Sequence, residues 1–237
     1  DTNLHYLKHK FDLPSVKNVL ITHGHHDHFY LNDVLARSTP INSHISDNIP
    51  TCFYAPVDVY ERINAIKQSD NIKDTDVIAC KVEPYKTIKV GEYLVTPLPA
   101  VHAGYDVSKD DGVKKFKFYP VTYIIEKDGK SMLYHHDSDF YAEETYQFLK
   151  SRKKPFDLVT FDCTNGLLEK NYIGHLGVAE CVKYKNDFIV DGLATDKTIF
   201  VLNHYSHNGT GSVYADMKKT AAKYGFIASY DGLTVEF

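Results

Sequence analysis

The amino-acid sequence predicts an α/β fold in which two sheets are covered by helices, and three observations lead to this expectation. The first part of the chain contains short apolar runs that follow one another with turn residues between them. The second part alternates helical and strand patterns. Hydrophobic residues make up 43% of the composition and charged residues 24%, as in ordinary globular domains. We therefore expect one layered α/β domain over residues 1–237.

The elements of the first part are predicted from apolar runs and their boundaries. Val19-Leu20-Ile21-Thr22 is apolar and leads into a polar loop, which is typical of a buried strand that feeds a site. A short helix is expected at 31–37 and a strand at 49–55. Pro56 suits the first turn of the next helix, which is expected to reach about Lys67. Turn residues then separate three further strands, expected at 77–82, 87–90 and 93–101.

The second part opens with the clearest local signal, a hairpin. Two apolar runs at 116–126 and 131–135 flank Asp128-Gly129, a pair typical of two-residue hairpin turns. Helical patterns then alternate with apolar runs. The helices are expected at 142–150, 177–190 and 213–223, and the strands at 158–161, 199–202 and near Phe226 and Val235.

Composition and charge exclude several classes of partner. No apolar run approaches the length that spans a bilayer, so we expect no membrane segment. The net charge of −4 gives no electrostatic reason to expect nucleic acid. Cys52, Cys80, Cys163 and Cys181 form no C-x-x-C motif, and a domain of this size does not need disulfides. We therefore expect free thiols and a cytoplasmic location, and a homodimer stays open as the assembly state.

Histidine carries more information, because four ligand-type side chains fall within six residues of the predicted strand end. They are His23, His25, Asp27 and His28. Such a cluster makes sense when a loop wraps it around charge: the first two side chains can take one metal while the last two turn to a second. Imidazole and carboxylate suit Zn²⁺ or Mn²⁺, with Fe²⁺ a further option, and the absence of cysteine argues against a structural zinc. A solvated, histidine-rich loop is the alternative.

Thr22-His23-Gly24-His25-His26-Asp27-His28 is similar to the T-H-x-H-x-D-H signature of the metallo-β-lactamase superfamily. The resemblance implies an αββα sandwich, with mixed sheets flanked by helices and further ligands at strand ends. His102, Asp137 and His204 match those ligands in order. It implies one metal held by His23, His25, His102 and Asp137, and a second held by Asp27, His28, Asp137 and His204. It also implies first strands before the position of Asp1, so we expect N-terminal strands of the sheet to be lacking here.

Alternatives stay open at three of these positions. Asp139 lies on the same side of an extended chain as Asp137, and we favour Asp137 as the residue that bridges the metals. His207 competes with His204, which the predicted strand end favours. His102 could instead cap a strand.

Within the superfamily, the sequence most resembles the PhnP-type cyclic phosphodiesterases of phosphonate breakdown. That family places an Asp-Cys-Thr segment and then a catalytic histidine in this order, which Asp162-Cys163-Thr164 and His175 match. The segment 203–207, Asn-His-Tyr-Ser-His, resembles its T-H-x-S-H motif. In PhnP the second histidine of this motif binds a structural zinc, but this chain has no N-terminal cysteine cluster, so His207 is left out of the metal sites. A surface histidine at the start of a helix is the alternative for His175.

The expected function is therefore that of a metallo-hydrolase with two divalent ions, acting on small cyclic phosphodiesters similar to phosphoribosyl cyclic phosphates. Asp27 would bind metal and orient the nucleophile, and His175 would donate a proton or hold a phosphate oxygen. Thioester or lactone hydrolysis, as in glyoxalase-II-like and lactonase relatives, would use the same ligands on a carbonyl. An RNA-processing nuclease should carry a basic or glycine-rich arm, which composition does not show. A metal-binding module without catalysis should have lost ligands, and the set is complete.

Overall fold

The structure is a computed structural model, and it describes residues 8–10, 15–35, 49–102, 119–168, 174–206 and 213–237. The chain forms two compact units. The first unit comprises Asp1–Glu83 and Val107–Val121, and the second comprises Pro84–Asp106 and Thr122–Phe237. Each contains a sheet and helices, so the predicted α/β class is confirmed. These units do not test the expectation of a single domain, which stays a prediction.

The first unit is built on a three-stranded parallel sheet in the order β1-β2-β3. Its strands are β1 (Asn18–Leu20), β2 (Thr51–Ala55) and β3 (Val77–Lys81), and its helices are α1 (Leu31–Leu35) and α2 (Val57–Ser69). Parallel neighbours need a crossover connection, which α2 provides between β2 and β3. The helix starts after Pro56, as the sequence predicts.

Alternation along β2 decides which face of this sheet is the core. Thr51, Phe53 and Ala55 are buried, while Cys52 and Tyr54 between them are half-buried. Ile63 on α2 is fully buried in the same cluster as Phe53. The helix therefore covers one face of the sheet and holds the loop that follows β1 within reach of its own side chains.

The second unit is built on a seven-stranded sheet in the order β10-β9-β8-β7-β6-β5-β4. Its strands are β4 (Ile88–Val90), β5 (Tyr93–Pro99), β6 (Val121–Lys127), β7 (Lys130–His135), β8 (Leu158–Asp162), β9 (Ile199–Asn203) and β10 (Ile227–Ala228). Its helices are α3 (Glu143–Ser151), α4 (Val178–Val190) and α5 (Tyr214–Lys223). Two antiparallel hairpins, β4–β5 and β6–β7, precede a parallel run from β7 to β10. The sheet is mixed.

The parallel run sets the position of the candidate site. β7 and β8 pair with His135 opposite Phe161, and β8 and β9 pair with Asp162 opposite Asn203. The carboxyl ends of these three strands therefore meet at one edge of the sheet, which is where α/β proteins bind their ligands. β8 is buried along its whole length, from Leu158 to Asp162. The residues at these strand ends are therefore attached to a packed core.

The predicted elements are found with small shifts of their ends, with one exception. The hairpin turn is as expected: Asp128 and Gly129 have φ angles of 50° and 80°, the left-handed conformation that this turn requires. The strand predicted near Val235 is wrong, because the described residues around it form no ladder and are at most half-buried. Parts of the segments predicted at 31–37 and 116–126, together with His207, lie outside the described residues. Among the described helices none has the length and apolar character needed to cross a membrane.

Candidate metal centre

The signature loop, residues His23–His28, follows β1 in the first unit. Its turn is closed by a hydrogen bond from the Phe29 N–H to the His25 carbonyl oxygen, at 2.7 Å. The buried His23 lies with Nε2 3.1 Å from Nδ1 of His25 and with its ring centroid 4.4 Å from that of His28. Asp27 places Oδ2 3.5 Å from Nε2 of His28, and its side chain is 73% exposed. The four predicted ligands of this loop are thus neighbours, and their metal-binding roles stay predictions.

One side chain of α2 holds this loop. Arg62 donates a hydrogen bond from Nη1 to the Gly24 carbonyl oxygen at 2.6 Å, and its guanidinium carbon lies 5.1 Å from the centre of the Phe29 ring. The contacts fall on either side of His25 and His28. Arg62 therefore ties both ends of the signature loop to the helix.

The glycine of the signature is explained by the same contact. A Cβ atom at Gly24 would lie 2.6 Å from Nη1 of Arg62, 3.2 Å from Oδ2 of Asp58 and 3.2 Å from Cγ2 of Val59. Burial raises the pKa of Asp58, and backbone N–H groups and, to a smaller extent, the guanidinium of Arg62 oppose that shift. The loop can approach α2 this closely only without a side chain at position 24.

The second unit gathers a different group of donors at the edge formed by β7, β8 and β9. We call it the Asp162 cluster: Asp137, Asp162, His175 and His204, each of which offers a donor atom within 4.8 Å of the others. Asp137 follows β7, Asp162 ends β8 and His204 follows β9. His175 precedes α4, whose first residue is Val178. The topology therefore brings together residues that are far apart in the sequence.

His102 and His175 both lie against Asp137 in this unit. Oδ1 of Asp137 is 3.7 Å from Nδ1 of His102, 3.3 Å from Nδ1 of His175 and 3.7 Å from Nε2 of His204. The rings of His102 and His175 meet edge to face, with centroids 4.9 Å apart. Two predicted ligands, His102 and His204, and the predicted catalytic histidine therefore surround the carboxylate of Asp137.

Asp162 is the buried centre of the cluster, with 0% of its surface exposed. Its Oδ2 lies 3.1 Å from Nδ1 of His175 and 3.3 Å from Nδ1 of His204, and accepts the backbone N–H of Asp137 at 3.0 Å. Burial by itself raises the pKa of this carboxyl, but the hydrogen bonds from His175 and His204 outweigh it and hold the pKa of Asp162 well below its usual range. Asp162 is therefore ionised in the folded protein.

The chemistry of these donors fits a divalent ion. Two buried carboxylates, Asp137 and Asp162, face imidazoles in a small space, and the negative charge they bring is costly to bury without a cation. Carboxylate oxygens and imidazole nitrogens are the ligands of Zn²⁺, Mn²⁺ and Fe²⁺ in proteins. Asp137 and His204 are the cluster members that the sequence predicts as ligands.

The competing residues near the cluster have other partners. Asp139 accepts the N–H groups of Phe140 at 2.8 Å and of Gly174 at 3.2 Å, so its carboxylate holds the turn that carries His175. His135 and His136 are buried, and burial lowers the pKa of the first to about 4 and of the second to about 3. Both imidazoles are therefore buried in their neutral form.

Two residues important to this arrangement were not singled out from the sequence. Arg62 lies in the middle of α2, and nothing in its local pattern points to a loop 38 residues away. Asp162 belongs to a family motif, but the sequence predicts no role for it. Asp162 stands at the end of a strand that is buried along its length. A charged residue is almost never buried without partners, so this position indicates that Asp162 is bonded to other groups.

Comparison with known proteins identifies the class to which this fold and these donors belong. The family model described as a β-lactamase superfamily domain matches residues 3–205. The chain belongs to this superfamily. A comparison with curated proteins found no match.

Solved structures share the fold at low sequence identity. The metallo-β-lactamase fold protein YhfI from Bacillus subtilis has a TM-score of 0.67 and 15% identity, over 98% of this chain and 83% of that one. Zn²⁺-bound PqqB from Methylobacterium extorquens has a TM-score of 0.56 and 17% identity, over 93% and 73% of the two chains. Human tRNase Z, short form, has a TM-score of 0.59 and 14% identity, over 87% and 79%. The predicted metallo-β-lactamase fold is confirmed, and the family together with the His/Asp cluster supports a metal-dependent hydrolase.

Proposed function

We propose that this protein is a two-metal phosphodiesterase that hydrolyses small cyclic phosphodiesters. The observation that carries the proposal is the environment of His175, whose Nδ1 lies 3.1 Å from Asp162 and 3.3 Å from Asp137, a predicted ligand. A surface histidine, the alternative interpretation, would have no reason to sit against two buried carboxylates.

The geometry of His175 suits proton transfer. Because Nδ1 faces the carboxylates, Nε2 on the opposite side of the ring is the atom that can meet a substrate. A carboxylate that accepts the Nδ1 proton fixes the tautomer and orientation of an imidazole, and also stabilises its protonated form. With 17% of its side chain exposed, His175 remains accessible from solvent. It can therefore deliver a proton from Nε2 to the alkoxide that leaves a phosphodiester.

We further propose that the ligands are His23, His25, Asp27, His28, His102, Asp137 and His204, following the superfamily signature. Two divalent ions held this way would lower the pKa of a bound water to supply hydroxide and would neutralise charge on phosphate oxygens. The chain's own part is to orient the reacting groups. Asp27, exposed at the tip of the signature loop, would orient the nucleophile, and His175 would serve the leaving group.

A small substrate is favoured over a nucleic acid. Human tRNase Z shares the fold, but likeness at 14% identity carries no substrate with it. The net charge of −4 gives RNA no general electrostatic attraction to this chain. We therefore propose a compact phosphodiester as the substrate.

The test is a panel of substrates assayed with protein loaded with Zn²⁺ or Mn²⁺: a ribose cyclic phosphate, bis-nitrophenyl phosphate, a phosphomonoester, a thioester and a lactone. Cyclic diesters should be turned over fastest and the monoester slowly, because its dianion would bind both ions as product does. Thioester or lactone turnover more than about tenfold above diester turnover, or about 1.4 kcal/mol in activation free energy, would replace the proposal with carbonyl chemistry.

The role of His175 is tested in the same panel. We expect His175→Ala to keep its metals and to lose ~10²–10⁴-fold in rate on substrates with alkoxide leaving groups, the usual contribution of a general acid. The loss should be smaller with nitrophenolate, which needs little protonation. Equal losses on both would mean that His175 holds the phosphate instead. His26→Ala, which removes an exposed histidine of the signature loop, is the matched control and should retain its activity.

A further inference from the structure

We infer that Asp162 is a positioning residue, which binds no metal itself but holds Asp137, His175 and His204 in the arrangement that the metal centre needs. The inference rests on the metal centre of the proposed function. Its first support is the number of groups that Asp162 serves. Oδ2 contacts a backbone N–H or a ring nitrogen of each of these three residues, within 3.3 Å.

The lone pairs of Asp162 are already occupied by donors. Oδ1 accepts the backbone N–H of Thr164 at 3.0 Å and that of Leu176 at 3.1 Å. Oδ2 accepts the N–H of Asp137 at 3.0 Å and lies 3.1 Å from Nδ1 of His175. An ionised carboxylate offers about four acceptor positions, so these donors fill it. A metal could bind Asp162 only by displacing N–H groups that are buried and would lose their partners.

The backbone gives a second, independent support. Asp137 and His204 have φ angles of 53° and 61°, in the left-handed region that residues other than glycine seldom adopt. Asp162 accepts the backbone N–H groups of Asp137 and Thr164, and Thr164 in turn donates from Oγ1 to the His204 carbonyl oxygen at 3.0 Å. The same carboxylate thus braces both of the strained corners that carry predicted ligands. Strain of this kind persists only where the surroundings enforce it.

The ring contacts give the bracing a chemical consequence. Nδ1 of His204 lies 2.7 Å from Oγ1 of Thr164 and 3.3 Å from Oδ2 of Asp162. The carboxylate can only accept, and Thr164 Oγ1 also accepts here because its one hydrogen is donated to the His204 carbonyl oxygen. Both partners therefore favour a proton on Nδ1, which leaves Nε2 of His204 as the unprotonated ligand atom. Nε2 is the atom that faces Asp137, at 3.7 Å. Asp162 therefore fixes the Nδ1 proton directly at His175 and, together with Thr164, at His204, where it leaves Nε2 as the atom that can bind metal.

Asp162→Asn is the main test, because the amide keeps the shape but turns one acceptor oxygen into a donor that faces other donors. We expect the affinity for the second metal, measured by competition with a chelator, to fall ~10–100-fold, as for other residues that support metal ligands. Nitrogen-15 spectra of the metal-free protein should show Nδ1-protonated rings for His175 and His204 in the wild type. In the variant they should shift to the other tautomer.

The control is Asp157→Asn, at the opposite end of β8. This carboxylate accepts the Ser131 N–H at 2.8 Å and contacts Nζ of Lys130 at 3.2 Å. Neither partner is a predicted metal ligand. It should lower stability but leave metal affinity and both tautomers as in the wild type. Thr164→Val supplies a second variant should Asp162→Asn not fold: it should change the tautomer of His204 and leave that of His175 unchanged.

Wild-type metal affinity and unchanged tautomers in Asp162→Asn, or in Thr164→Val an unchanged tautomer of His204, would overturn the inference. So would a metal-loaded structure with an Asp162 oxygen within about 2.2 Å of an ion, the distance of a true ligand. The metal and tautomer measurements need no substrate. A wild-type protein that binds two ions but cleaves no phosphodiester would therefore refute the proposed substrate while leaving the role of Asp162 intact.

Discussion

The signature loop and the Asp162 cluster bring histidines and carboxylates together in opposite ways. The donors of the signature loop come from six consecutive residues. Contacts with Arg62 help to attach the loop to the rest of its unit. The Asp162 cluster takes its donors from three strand ends and a helix start, and a fully buried carboxylate binds them together. The signature loop is local in sequence and is held by Arg62, a residue outside the loop. The Asp162 cluster is spread over the sequence and is held by one of its own members.

This difference implies different responses to mutation. In the signature loop, a change that loosens the contact with α2 can be absorbed, because His26 and Asp27 at its tip face solvent. In the Asp162 cluster, the removal of one group leaves buried donors without acceptors, which costs more than the bond itself contributes. We therefore expect large effects in the cluster and smaller ones, with partial rescue, in the loop.

The largest effect is expected for Asp137→Ala. We expect the wild-type chain to bind about two ions. Asp137 is the residue proposed to bridge them, so the variant should retain neither ion. Metal analysis after gel filtration provides the measurement. Asp139→Asn is the matched control, since Asp139 holds the backbone of Phe140 and Gly174 and should keep both ions. If the two variants exchanged behaviours, Asp139 would be the bridge.

A smaller effect is expected for Gly24→Ala in the signature loop. The new Cβ would meet Nη1 of Arg62 at 2.6 Å, and crowding of this kind typically costs about 1–3 kcal/mol in the free energy of unfolding. Because the obstacle is the end of a flexible side chain, Arg62→Ala should relieve part of the cost. The double variant should therefore be more stable than the sum of the two single changes predicts.

Gly129→Ala is the control for this cycle. Gly129 also resists substitution, but for a different reason: its φ angle is 80° and nothing lies within 4 Å of the added Cβ. Its cost should be pure backbone strain and should add to that of Arg62→Ala without coupling. If Gly24 and Arg62 proved equally uncoupled in urea unfolding, the proposed clamp on the signature loop would be wrong.

The smallest effect is expected for Arg62→Lys, which keeps the charge but loses the planar group that reaches the Gly24 carbonyl and the Phe29 ring together. We expect a loss of about 1 kcal/mol, the usual net value of one such hydrogen bond. The stability of the metal-free variant in urea is the readout. If the stability lost were instead as large as that expected for an unsatisfied buried group, the signature loop would depend on its contacts as strongly as the Asp162 cluster does.

The same comparison explains what the sequence could predict. The signature loop was predictable because its donors are contiguous and follow an apolar strand, so spacing alone reveals them. His102, Asp137 and His204 could be placed only through the family resemblance, since His102 stands alone in its segment and Asp139 and His207 compete with the other two. The parallel register of β7, β8 and β9 then brings the last two together with Asp162. That pairing is a long-range property that local patterns do not contain.

The strand expected near Val235 shows that a local pattern can also predict an element that does not form. Alternating apolar residues favour a strand, but a strand also needs a partner, and in the described residues this segment pairs with none. The role of Arg62 was hidden for a similar reason, since it depends on where α2 lies against the loop. Local pattern predicted most elements, while contacts between elements had to come from the structure.

The most direct test of the metal centre is a crystal structure of the metal-loaded protein, with diffraction data collected at the absorption edge of Zn²⁺ or Mn²⁺. We expect two anomalous peaks, with a carboxylate oxygen of Asp137 within about 2.2 Å of each and Asp162 still bonded to its N–H donors. A single peak, or one whose ligands include Asp162 and omit Asp137, would contradict it.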